Sequence, residues 1–280
     1  MRVLVAGAGG VLGREIVNSL VKRKIEVVGL GYKECEFFGL EDKLIKWLCC
    51  DVTKPIQLKG ICKGIDMVIS TIGITRIKTN LTYMDVDFQG NLNLLKEAEA
   101  SQVKKFVFIS PAGTDKGYNY VPLFKAKFLF EQKLKESNLN WVIFRSGAFF
   151  NDLKKLKEFT QSGFVFVIGK ADKKFTPVDV KELAEIMVED SLINENKIID
   201  VGGPEDLSWR QVYEMCFISE GKYPKIISVP LWLAKLIIYI IKPFSLKYYA
   251  LGRLLLFSYL NDLTTPKRAK KRFLDYLNEK

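Results

Sequence analysis

The sequence contains no histidine in 280 residues, which excludes imidazole acid–base chemistry and histidine metal ligation. Cysteine is sparse and poorly spaced for a framework. Cys35, Cys49, Cys50, Cys62 and Cys216 are odd in number and include no CxxC pair, so neither a zinc site nor a disulfide scaffold is indicated. They read as thiols in a reducing cytoplasm, and no bound metal is expected. A spanning segment is also lacking. The most apolar run, Val229 to Ile241, is interrupted by Lys235 and is shorter than the ~20 residues a membrane-crossing helix needs. The first strand begins within two residues of the N-terminus, which leaves no room for a cleaved signal peptide, so a cytoplasmic location is expected. Internal repeats and low-complexity linkers are absent.

What is present supports a full core, since 48% of the residues are hydrophobic and a chain of this length folds as one large domain or as one domain with a smaller appendage. The 43 Lys and Arg against 32 Asp and Glu leave a net charge of +11. That balance fits anionic ligands or an acidic membrane surface, and equally a solvated lysine-rich exterior. No interleaving of aromatic and basic residues on a strand points to nucleic acid, and none is expected as a partner. Nothing in the sequence sets the oligomeric state.

The most informative segment is at the start. Arg2-Val3-Leu4-Val5-Ala6 reads as a strand, Gly7-Ala8-Gly9-Gly10-Val11-Leu12-Gly13 as a glycine loop, and the residues from Arg14 to Leu20 as an amphipathic helix. In a dinucleotide site Gly7 permits the tight turn, Gly10 lets the backbone approach a pyrophosphate, and Gly13 lets the helix close on the sheet. A second apolar strand, Ile25 to Leu30, arrives where a βαβ unit requires it.

Further strands are expected at Lys46 to Cys50, Met67 to Thr71, Phe106 to Ser110 and Trp141 to Phe144, with helices at Leu81 to Ser101 and Pro122 to Ser137. Apolar strands alternating with helices predict a doubly wound parallel α/β sheet with its ligand crevice at the strand C-termini. Beyond Arg145 the pattern loosens. A helix from Asp179 to about Leu192, a short strand at Ile198 to Val201 and a capping box at Ser208-Trp209-Arg210-Gln211 precede two apolar helical segments, Leu231 to Ile241 and Leu246 to Leu260. The chain is accordingly divided into a nucleotide-binding domain, 1–150, and a smaller, mostly helical substrate-side region, 151–280, with a strand near 197–201 returning to the core fold.

The glycine loop, Ser70-Thr71-Ile72-Gly73, Phe106 to Ser110, Ala126-Lys127 and Trp141-Val142-Ile143-Phe144-Arg145-Ser146-Gly147 together resemble the atypical short-chain dehydrogenases/reductases. The NmrA-like, NAD(P)-binding branch is the best match. Ser146 replaces the proline of that family's Arg-Pro-Gly pattern. Val201-Gly202-Gly203-Pro204-Glu205 and Val229-Pro230-Leu231-Trp232 look like signatures of the subgroup that includes divinyl chlorophyllide reductase-like proteins and a membrane-associated complex I subunit.

The resemblance implies a Rossmann fold and a nicotinamide cofactor held by Gly7 to Gly13, Thr71, Ile72, Gly73 and Ser110. Asp51 and Val52 would lie at the adenine, Lys127 at the nicotinamide ribose and Phe150 on the nicotinamide side. Asp51 reads equally well as a loop or helix cap. At the end of the second strand, Gly29-Leu30-Gly31-Tyr32-Lys33 has no acid before Glu34. Tyr32 stands where many members carry a phosphate-binding arginine, and Lys33 can supply the charge instead. NADP is therefore expected, with NAD the alternative and a solvated Lys33 the competing reading.

The family's YxxxK dyad is broken, because Lys127 is preceded four residues earlier by Leu123, which cannot move a proton. Tyr118 and Tyr120 are the nearby phenols, either as catalytic substitutes or as loop aromatics. The expectation is an NADPH-dependent reductase of a small apolar conjugated or carbonyl substrate; a non-catalytic NAD(P)H sensor or membrane-complex assembly factor is the alternative. The apolar segments from Leu231 to Leu260, with the basic cluster Lys267 to Arg272, fit core, a greasy substrate pocket or peripheral contact with an anionic membrane.

Overall fold

Val3 to Ala6 are completely buried, as residues of a central strand covered on both faces must be. They belong to a seven-stranded sheet. Its strands are β1 (Arg2–Ala6), β2 (Glu26–Gly31), β3 (Ile45–Cys49), β4 (Met67–Ser70), β5 (Lys105–Pro111), β6 (Asn140–Ser146) and β7 (Lys197–Val201), in the order β3-β2-β1-β4-β5-β6-β7. β1 pairs in parallel with β2 and β4, β2 with β3, and β4 with β5. The order reverses between β1 and β4, the switch point where such sheets open a crevice at their strand C-termini. The structure, a computed structural model, describes residues 1–32, 42–74 and 81–279.

The chain forms two compact units that interleave along the sequence. One comprises Met1–Ser110, Lys125–Arg145 and Leu183–Ile199; the other comprises Pro111–Phe124, Ser146–Glu182 and Asp200–Lys280. Thus the chain passes from one unit to the other several times. In the first unit Leu4, Val68, Phe106, Phe108, Phe130 and Ile143 form the centre of the core. In the second, Phe150, Phe175, Val212, Cys216 and Phe273 form another. Two small sheets also lie in the second unit, Val165–Ile168 beside Ile226–Val229 and Lys174–Phe175 beside Leu207–Ser208.

Most elements fall where their periodicity puts them. The helices Leu231–Ile241 and Leu246–Leu260 have the expected bounds, and both hydrogen bonds of the Ser208/Gln211 capping box are present. One element differs in kind. The single helix expected from Leu81 to Ser101 is a wide π-helical segment, Met84–Gly90, followed by an α-helix, Asn91–Ala100. A π turn holds one more residue than an α turn and shifts the phase of the side chains. Gly90 fits here because a Cβ would come within 2.8 Å of Val52 Cγ2.

The helix Pro122–Lys135 is stapled to β6 by a buried ion pair. Arg145 donates from Nη2 to Glu131 Oε2 at 2.7 Å and from Nε to Oε1 at 3.3 Å, and both side chains are buried. Removing one charge strands the other in the core. Glu131→Gln should therefore destabilise the fold by about 3–5 kcal/mol, read as a lower urea midpoint; an unchanged midpoint would show that the pair does not secure this helix.

Candidate functional site

The glycine loop turns out of β1 because Gly7 adopts φ +81°, where a side chain would be strained. A Cβ at Gly7 would also lie 2.7 Å from Thr71 Oγ1. Thr71 in turn ties the end of β4 to the loop, its hydroxyl donating to Ala6 O at 3.0 Å or Gly7 O at 3.2 Å. Gly13 is packed still more tightly, since a Cβ there would meet Gly7 O at 2.1 Å. The roles read from the sequence for these two glycines, turn and close helix packing, have direct counterparts in the geometry.

The loop spends some of its amides internally. Gly7 N and Ala8 N donate to Leu30 O, and Gly10 N to Gly7 O. The helix Val11–Lys22 opens with no side-chain cap and no acid in its first turn. Its first amides have no partner within the helix, and its dipole favours an anion there. Gly10 is exposed, with extended backbone and only Gly7 O, at 3.2 Å, near an added Cβ. Arg14 folds back to donate to Gly9 O at 3.1 Å. An uncapped helix start beside an open glycine fits a pyrophosphate.

After β4 lies a second arrangement that the sequence reading only half captured. Lys127 is buried, its ammonium 3.3 Å from each of Ile72 O and Ile109 O and 4.7 Å from the Phe108 ring centroid. It also lies 3.3 Å from Asp87 Oδ1, a fully buried oxygen that accepts no aligned hydrogen bond. Asp87 Oδ2 accepts from Ile74 N at 3.2 Å. Burial pushes the Asp87 carboxyl above the ordinary carboxylate range, against the opposing pull of Lys127 and the Ile74 amide.

Gly73 is exposed directly over this pair. A Cβ at Gly73 would come within 2.6 Å of Asp87 Oδ1 and 3.1 Å of Lys127 Nζ. The absence of a side chain leaves only backbone above the buried ion pair, in a space that any other residue would fill. Asn91 fixes the surroundings, accepting from Ser70 Oγ at 2.5 Å and donating to Asp87 O at 2.9 Å. Asp87 and Asn91 were not anticipated as site residues. The sequence signal was weak: two acids, Asp85 and Asp87, in one expected helix, the second four residues ahead of an asparagine.

At the end of β3, Asp51 forms a local turn, accepting from Thr53 N at 3.0 Å and Thr53 Oγ1 at 2.6 Å. Val52 O accepts from Asn93 Nδ2 at 2.9 Å. The first unit thus brings together the glycine loop with Thr71, Ile72 and Gly73 with Lys127, and Asp51 with Val52. Ser110, buried in β5, is the last residue of that unit's first segment. Tyr32 is exposed at the end of β2, and Lys33 lies outside the described residues.

Tyr118, Tyr120 and Phe150 belong to the second unit. There Tyr120 is exposed, its carbonyl accepting from Arg253 Nε at 2.8 Å, and Tyr118 is half-buried. Phe150 is a core residue, packed on Phe273 and Tyr276 with ring centroids 5.2 and 5.4 Å away. Burial pushes the thiols of Cys62 and Cys216 up to about 12, which keeps them protonated and poorly nucleophilic at neutral pH. Among the described residues no cluster of acids and cysteines is arranged to hold a metal.

The family model described as NAD(P)H-binding matches residues 7–189, more than half of the chain. The photosystem II assembly factor Ycf39 of Trieres chinensis is 25% identical over 244 residues, spanning 85% of this chain and 75% of that protein. The chloroplastic divinyl chlorophyllide a 8-vinyl-reductase of Arabidopsis thaliana is 28% identical over 262 residues, spanning 82% of this chain and 60% of that protein. Among solved structures, a nucleoside-diphosphate-sugar epimerase from Staphylococcus aureus aligns over the whole of both chains with a TM-score of 0.81 at 14% identity, a likeness of fold.

The glycine loop gives a direct test. Gly10→Val should abolish NADPH and NADH binding in a fluorescence titration while the thermal unfolding transition stays cooperative, because the extended backbone at position 10 accepts a side chain and the pyrophosphate does not. Wild-type-like affinity in the folded variant would remove this loop from the cofactor site.

Proposed function

The chain belongs to the NAD(P)H-binding family, and we propose that it is an NADPH-dependent reductase of a small apolar substrate carrying a conjugated double bond or a carbonyl. The observation that carries this reading is the buried Lys127 ammonium, held by two backbone carbonyls and Asp87 beneath an exposed glycine. The uncapped start of the Val11–Lys22 helix would hold the pyrophosphate, the Asp51–Val52 turn the adenine, and Lys127 the nicotinamide ribose. When bound, the cofactor would supply the hydride equivalent.

The chain's own part is then positioning and proton supply. Leu123 occupies the dyad position and is 8% exposed, so no phenol stands there. Lys127 Nζ is the proton-bearing group to which the reading gives that role. Reduction of a polarised alkene or carbonyl consumes one hydride and one proton; the ammonium donates that proton and regains it from water. Asp87 keeps the ammonium in place and stabilises its charge. Apolar substrate, rather than nucleic acid, is the partner this chemistry requires.

Leu123 also supports a second reading, in which the protein binds NAD(P)H without turnover, as a sensor or as an assembly factor of a membrane complex. The two relatives above, an assembly factor and a vinyl reductase, represent these two outcomes. Oxidation of NADPH against a panel of apolar enones and quinones, run beside a binding titration, distinguishes them. Turnover with any class supports the reductase; tight binding with no turnover across the panel supports the second reading.

Lys127→Met keeps the aliphatic stem and removes the ammonium. It should lower turnover ~100-fold or more and NADPH affinity by less than ~10-fold; unchanged turnover would remove Lys127 from proton transfer. Preference for the phosphorylated cofactor is assigned to Lys33. A charge-assisted contact with a 2′-phosphate is worth ~1.5–3 kcal/mol, so Lys33→Ala should weaken NADPH binding roughly tenfold or more and leave NADH nearly unaffected. Equal loss for both cofactors would contradict that assignment.

A further inference from the structure

From Gly221 to Asn261 the sequence contains no acidic residue, and in the second unit this stretch builds a pair of packed helices, Leu231–Ile241 and Leu246–Leu260. Their close approach is set at Gly252, where a Cβ would lie 2.8 Å from Ile238 Cγ1. The apolar side chains that such helices would normally hide are largely outside. In the first helix Ala234 is the one buried residue, while Trp232 is 66% exposed, Tyr239 74% and Phe244, in the connecting turn, 84%. A contiguous apolar surface of this kind marks a contact site in a folded chain.

The charges around that surface select its partner. Lys235, Lys242 and Lys247 have no acidic partner among the described residues. Two of them lie over tyrosine rings, Lys242 Nζ 5.7 Å from the Tyr249 centroid and Lys247 Nζ 5.4 Å from that of Tyr248. The basic cluster beyond Thr265 behaves differently. Lys267 pairs with Asp206 at 2.9 Å, Lys271 with Asp179 at 3.2 Å, and Arg272 with Glu205 at 2.8 Å. These cations, which the sequence alone groups with the apolar helices, are neutralised within the unit.

We propose that the helical pair docks on the surface of an anionic phospholipid bilayer. Trp232, Tyr239 and Phe244 enter the headgroup and acyl boundary while Lys235, Lys242 and Lys247 meet the phosphates. Aromatic rings with flanking lysines are suited to that boundary. The contact is peripheral: eleven helical residues rise about 16 Å, and no helix among the described residues is long and apolar enough to cross a membrane. Pairing the face with a second copy would set unneutralised lysines against lysines, which opposes a twofold contact.

The test uses the full chain in sedimentation with phosphatidylcholine vesicles, with and without phosphatidylglycerol, at low and high salt. Binding should require phosphatidylglycerol and fall as salt rises. Replacing all three lysines, Lys235→Gln, Lys242→Gln and Lys247→Gln, should lower partitioning on the order of a hundredfold; Phe244→Ser should weaken what persists at high salt. NADPH affinity, read in the same preparations, should not change and reports an intact fold. Failure of the unmodified chain to sediment with anionic vesicles at low salt would overturn the proposal, as would binding indifferent to the three lysines. Self-association that Phe244→Ser dissolves, with no vesicle binding, would assign the face to a second copy and overturn it as well.

Discussion

A carboxylate cut off from water must be compensated, and Asp87 sets that condition for the site. Its side chain is fully buried, one oxygen takes the Ile74 amide, and the other faces the Lys127 ammonium at 3.3 Å. Neither charge would be tolerated alone at that depth. The carboxylate therefore fixes where Lys127 can be, and Lys127 fixes the carbonyls of Ile72 and Ile109 at the ends of β4 and β5. Gly73 completes the arrangement by contributing no side chain above it.

The glycine loop depends on the same strand end. Thr71 bonds back to Ala6 or Gly7, so the residue that closes the loop directly precedes the Ile72–Gly73 segment that caps the ion pair. The start of the Val11–Lys22 helix and the buried Lys127 ammonium are thereby both tied to one short stretch, Ser70 to Gly73. The glycine loop and Thr71 follow adjacent central strands, of which β4 is buried throughout and β1 from Val3 to Ala6.

Local pattern made much of this readable. The loop from Gly7 to Gly13, the sheet class, the Ser208 capping box and the two apolar helices follow from spacing and periodicity over a few residues. Lys127 came from a family motif and Leu123 from its violation. Asp87 was hidden by phase. Asp85 and Asp87 are two residues apart, and the π-helical turn decides which goes inside: Asp85 is half-buried and accepts from Thr82, whereas Asp87 is buried. The pairing of Lys267, Lys271 and Arg272 was hidden by distance, since their partners lie up to 92 residues earlier, at Asp179, Glu205 and Asp206. Phe150, a plausible ring for a cofactor wall by its place in the sequence, is held in an aromatic cluster completed by the last helix.

The central claim is that Asp87 and Lys127 act as one unit, with the aspartate positioning the lysine for the cofactor. A double-mutant cycle of Asp87→Asn, Lys127→Met and the combination, read in both urea stability and NADPH affinity, measures that directly. The account predicts strong coupling: Asp87→Asn restores much of the stability lost in Lys127→Met, because the stranded carboxylate is gone, yet does not restore cofactor affinity or turnover. Purely additive stability effects, or a double variant that binds NADPH as the unmodified chain does, would contradict it.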